Sequence, residues 1–176
     1  MKKILSAVTI LCVIIFSANC QASEVRVADI GAENFYAEMI KFFEYNKINI
    51  PKSNLSSDLD DNGQKSWECK FFANSYDTDP SVIVLFNVDS AGYVSRTIVI
   101  SAGDNFMTTN VMSAAFTTIG ITQSETDELA RQIGDGNAPT KVASVWSYSK
   151  NKKFLITVIP VGNLTEFVIS ADDGRN

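Results

Sequence analysis

The stretch whose residue types and spacing come nearest to a chemical site is Asp58-Leu59-Asp60-Asp61-Asn62-Gly63. It fits the opening half of an oxygen-ligand calcium loop, in which the glycine permits a turn that aims side-chain oxygens, here those of Asp58, Asp60 and Asn62, at one ion. The closing half departs from that pattern. Six residues after Gly63 stands Cys69, where a bidentate glutamate belongs, and Glu68 comes one place early. No amphipathic helix leads into the loop. A solvated acidic turn ahead of a strand accounts for the same residues, so calcium is a secondary expectation and no other cofactor is expected.

The 176 residues contain no histidine. Ser-His-Asp and Cys-His nucleophilic arrangements are therefore excluded, and so are the usual zinc sites, because nothing else supplies a neutral imidazole near neutral pH. Carboxylate and Ser-Lys chemistry stay formally open. A glycosidase-type hydrolase needs two carboxylates facing each other across a cleft, and no motif here marks such a pair. The expectation is a protein that is not an enzyme, with a carboxylate-dependent hydrolase ranked last among the alternatives.

Trp146 and Tyr148 are candidates for binding rather than reaction. They share one side of a β-type run over 142–148, since strand side chains alternate with period two. On an open sheet face they form a rigid aromatic patch suited to gripping another protein. The more ordinary arrangement, which the pattern favours, puts them beneath helices as core.

Of three cysteines, Cys12 and Cys20 fall in an N-terminal segment that the sequence marks for removal, which leaves Cys69 as the one thiol of the mature domain. It lies in an alternating run, Trp67-Glu68-Cys69-Lys70-Phe71, and reads as a buried, inert side chain. With no second cysteine, the core must hold the fold unaided.

The N-terminal segment itself has Lys2 and Lys3, an apolar run over 4–16, and small residues ending at Cys20-Gln21-Ala22, the pattern of a secretory signal peptide cut after residue 22. The apolar run is shorter than the roughly 20 residues a spanning helix needs, and no later run is longer, so no transmembrane segment is expected. Lipid attachment at Cys20 is the lesser alternative, because Ser17 and Asn19 occupy places where a lipobox usually has Leu and Gly or Ala. The protein is expected to be periplasmic or secreted.

Cutting 22 residues from 176 leaves 154, a length suited to one domain over 23–176. The loss of two lysines takes the formal charge from −5 to −7. Such an acidic chain is a poor phosphate-tracking nucleic-acid binder.

The elements that must position these residues follow from periodicity. Phe35, Met39, Phe42 and Phe43 recur at helical spacing and predict a helix over 32–47. The polar segment 51–65 reads as a long surface loop. Strands are expected at 67–73, 82–88 and 93–100, the last two forming a hairpin. Asp104 caps a second helix that Gly120 ends, with Ile121 packing back on Phe116. Thr122-Gln123-Ser124-Glu125 is a capping box that starts a third helix running to Gly134. Strands at 142–148, 154–159 and 164–170 complete the chain, and the residues after Ala171 read as a frayed tail.

The pattern predicts an α+β fold of two layers: a mostly antiparallel six-stranded sheet with three helices on one face. Matches such as Asn34-Phe35 with Asn105-Phe106 suggest a degenerate tandem repeat with halves at about 30–101 and 102–171. Apolar residues on both sides of 82–86 and 154–159 imply that the sheet centre is covered more fully than a simple solvent-facing layer. The functional expectation is a non-enzymatic protein that binds another protein, as an inhibitor, immunity-type factor or accessory of the cell envelope. A calcium-stabilised envelope module is the alternative.

Overall fold

The computed structural model describes residues 25–59, 65–135, 139–172 and 174. The segment 1–22 expected to be a signal peptide, with Cys20 as the alternative lipid site, and Asp60 and Asn62 of the candidate calcium loop lie outside the described residues.

Helix α1 (Ala32–Tyr45) forms because its apolar residues recur every four positions, and Phe35, Met39 and Phe43 are buried along one stripe. Strands β1 (Lys52–Leu59), β2 (Lys65–Phe72), β3 (Val82–Val88) and β4 (Val94–Ser101) follow as a meander. Helices α2 (Asn105–Ile119) and α3 (Gln123–Asp135) precede a second meander, β5 (Lys141–Ser147), β6 (Lys152–Val161) and β7 (Leu164–Asp172).

All neighbouring strands are antiparallel, in the order β1-β2-β3-β4-β7-β6-β5. The described residues thus form an α+β protein with a seven-stranded antiparallel sheet and three helices. The expectation of six strands is corrected by β1, which occupies most of the segment read as a loop. Its only large apolar residues are Leu55 and Leu59, and the rest are Ser, Asn, Asp and Lys, which lack strand propensity. An edge strand needs little apolar surface, and β1 is held by its eight-residue register with β2, from Lys52 opposite Phe72 to Leu59 opposite Lys65.

The helix ends carry the expected chemistry. Asp104 accepts from the Met107 backbone N–H at 2.9 Å. Gly120 adopts φ +83°, and the Ile121 N–H donates to the Phe116 carbonyl at 2.9 Å, so both buried side chains close the end of α2. The Thr122 N–H donates to Glu125 Oε2 at 2.6 Å and the Glu125 N–H to Thr122 Oγ1 at 3.3 Å, completing the capping box.

One continuous core lies between helices and sheet. Phe35 meets Phe86 with ring centroids 5.0 Å apart, and Phe43 meets Phe71 edge-on at 5.7 Å. From the sheet, Cys69, Val84, Val99, Ile156 and Ile169 join it, and from the helices Val111, Ala115 and Leu129. All three helices therefore cover the same face. Cys69 is fully buried, and burial, reinforced by nearby Glu68, pushes its thiol far above the usual value, which keeps it protonated.

The last strand of each meander, β4 and β7, pair at the centre of the sheet. At residue level the helices that precede the two meanders differ. Phe35 is fully buried in α1, whereas Phe106, its match by offset, is 68 % exposed.

Candidate functional site

Strand parity assigns the other face of the sheet. Where Val82, Val84 and Phe86 of β3 enter the main core, Ile83 and Leu85 must point away from the helices. The same holds for Ile98 and Ile100 of β4 and Val168 of β7. The register brings them together: Leu85 and Val168 flank Ile98, and Ile83 and Glu166 flank Ile100. These residues and Leu164 make a second apolar cluster, in which Ile98 and Ile100 are each 5 % exposed. Glu166 is buried within the same face, opposite both Ile100 and Ile159.

Toward the far edge the face changes character. Val142 of β5 is 61 % exposed and sits opposite Thr157, which is opposite Val168. Trp146 belongs to the same side as Val142 and is half-buried, whereas Ala143, Val145 and Ser147 turn toward the helices. A cross-strand row runs from Trp146 to Lys153 to Asp172. The chain after β7 passes against the indole, since a Cβ on Gly174 would lie 3.2 Å from Trp146 Cζ3. Tyr148 follows the end of β5 and is 88 % exposed. Neither aromatic residue lies under a helix, contrary to the arrangement favoured from pattern, because Val145 and Ala143 supply the helix-facing side of β5. On the opposite flank, Glu68 and Lys70 of β2 pair at 2.7 Å.

The β5 edge is closed by α3. Gln132 donates from Nε2 to the Ser144 carbonyl at 3.1 Å and accepts at Oε1 from the Ser144 N–H at 2.9 Å, so its amide occupies both backbone groups of one edge residue.

A second polar cluster sits at the end of the β3–β4 hairpin. Asp89, 7 % exposed, accepts at Oδ1 from the backbone N–H groups of Ala91 and Tyr93, each at 2.9 Å, and at Oδ2 from Arg26 Nε. The Arg26 guanidinium also lies over the Tyr93 ring, 4.2 Å from its centroid. Burial alone raises the Asp89 pKa, but the Arg26 hydrogen bond and the two backbone donors outweigh it and hold the carboxyl below its ordinary value. The same pairing raises Arg26. Around it, the Ala28 N–H donates to the Val94 carbonyl and the Val94 N–H to the Ile30 carbonyl, each at 3.0 Å, and Lys152 Nζ donates to the Arg26 carbonyl at 2.8 Å. This cluster ties the segment before α1 to both meanders, which is a structural role.

Asp58 lies exposed near the end of β1, and its Oδ1 accepts from the Leu59 backbone N–H at 2.8 Å. Among the described residues, no group of three or more His, Cys, Asp or Glu side chains is placed to hold a metal ion, and no helix is long and apolar enough to cross a membrane.

No family model, curated protein or solved structure matches this chain. The apolar cluster on the helix-free face and the buried Glu166 were not singled out from sequence. Of the two runs with apolar residues of both parities, 82–86 supplies Ile83 and Leu85 to the cluster, whereas 154–159 supplies none. For Glu166 nothing in the local pattern marks burial.

Proposed function

We propose that this is an exported, non-enzymatic protein that works by holding another protein, as an inhibitor, immunity-type factor or envelope accessory. Contact is made on the helix-free face toward β5, through Trp146, Tyr148 and Val142. The observation that supports this reading is the two-sided apolar sheet, whose helix-free face passes from a closed centre at Ile98 and Ile100 to accessible apolar surface at Val142 and Tyr148. A sheet presents such groups with little conformational freedom left to lose, which favours tight association. Trp and Tyr are the residue types most often found at energetic centres of interfaces. The acidic balance of the chain favours a partner with basic residues around an apolar contact.

Recovery of the processed protein from envelope extract with a stoichiometric partner is the expected result. The double substitution Trp146→Ala and Tyr148→Ala should weaken that complex by about 2 kcal/mol or more, roughly 30-fold, measured by calorimetry with the isolated partner. Repeated recovery of the wild-type protein alone overturns the binding reading, and unchanged affinity in the double variant overturns the assigned face. Turnover of a substrate by the purified protein overturns the non-enzymatic part.

A further inference from the structure

The two ends of the sheet are treated differently. At β5 the Gln132 amide occupies both backbone groups of Ser144, whereas β1, the strand at the other end, is laddered to β2 on one side and, among the described residues, has no strand on the other. It is a regular run of eight residues without proline, and most of it is exposed. A strand of this kind presents unpaired N–H and C=O groups to another strand. What it pairs with follows from its side chains.

We infer that β1 is a docking edge for a second copy of this chain, joined antiparallel about a two-fold axis at Leu55 so that the two sheets continue into one. Opposed residues must lie on the same face of the joined sheet, which keeps both helical layers on one side and restricts pairing to residues of equal parity. Centring the pair on Leu55 gives nearly full overlap of the strand. It sets Lys52 against Asp58 of the second copy, Asn54 against Ser56, Ser53 against Ser57, and Leu55 against itself.

The charge pattern is self-complementary in that register. Lys52 and Asp58 stand near opposite ends of β1 on the helix-free face, both exposed. The two-fold operation therefore makes two opposite-charge pairs at once, as an isologous interface requires. Opposite charges facing each other across strands are favourable and like charges are not. Lys52 leans inward over β2, with Nζ 3.1 Å from the Asp77 carbonyl and 4.3 Å from the Phe72 ring centroid; its exposed, flexible chain can turn outward, and an ammonium keeps further donors for a carboxylate. On the helix-bearing face, the half-buried Leu55 meets its own copy. Leu59, 66 % exposed, falls opposite Pro51.

Sedimentation equilibrium of the purified protein over a concentration series reaching the millimolar range tests this. A species of twice the chain mass is expected. Lys52→Asp alone, or Asp58→Lys alone, sets like charges opposite each other and should weaken association at least tenfold. The double swap should restore it. Both positions are exposed, and unchanged circular dichroism establishes that each variant is folded. A wild-type protein that stays monomeric throughout the series overturns the inference. So does a dimer indifferent to both single swaps, or one that the double swap fails to restore.

Discussion

Asp89 shows how one side chain fixes a turn. Its carboxylate receives two backbone N–H groups of its own hairpin and the Arg26 guanidinium, and it does so while buried. Alanine at this position removes the acceptor and leaves those donors unsatisfied, a loss of roughly 1–3 kcal/mol in urea denaturation. The pH dependence has a definite sign. Because the folded-state pKa is depressed, the carboxylate contributes stability that is present above the unfolded carboxyl pKa of about 3.9 and is lost as pH falls through the lower folded value. The gap in stability between wild type and Asp89→Asn should therefore be constant near neutral pH and narrow below about pH 4. A gap that is independent of pH down to strong acid contradicts the assigned pairing.

Among the elements, α2 has the most fully determined end. Gly120 at φ +83° lets the chain leave the helix so that Ile121 folds back on Phe116. A Cβ there also meets Lys150 Cε, but that atom is the far end of a flexible side chain and can move aside. The cost of Gly120→Ala is therefore set by the backbone and should be about 1–2 kcal/mol, read as a shift in the urea midpoint with an unchanged slope. No loss of stability would mean that the helix ends in another conformation in solution. Strand β1 teaches the opposite lesson, since nothing local makes it a strand. Its regularity comes from β2, and its two charged residues bear on what lies beyond its outer edge.

The whole molecule is joined along β4 and β7, the closing strands of its two meanders, with α1 and α2 both in the single core beneath. Neither meander can flank its closing strand on both sides without the other. The protein should accordingly unfold in one transition, with near-ultraviolet and far-ultraviolet circular dichroism giving the same midpoint. Two separated transitions would show that the meanders fold as independent units. The helix-free face is likewise a property of the assembled sheet, since Leu85, Ile98 and Val168 come from three strands of two meanders and meet only through their register.

Helix ends, strand alternation and the class of fold were legible in the chain because each depends on residues a few positions apart: Asp104 before Met107, Thr122 before Glu125, Gly120 after Phe116. The exclusion of histidine chemistry needed only the composition. The seventh strand was not legible, because an edge strand of Ser, Asn and Asp owes its form to a partner. The side to which Trp146 points was also undecided, since parity pairs it with Val142 and against Val145 without saying which set meets the helices. Sequence thus determined what short-range hydrogen bonding and hydrophobic period dictate. The tertiary structure decided which face is covered and which edge is closed, because those depend on contacts such as Gln132 with Ser144 and Ile98 with Val168, made between residues that only the assembled sheet brings together.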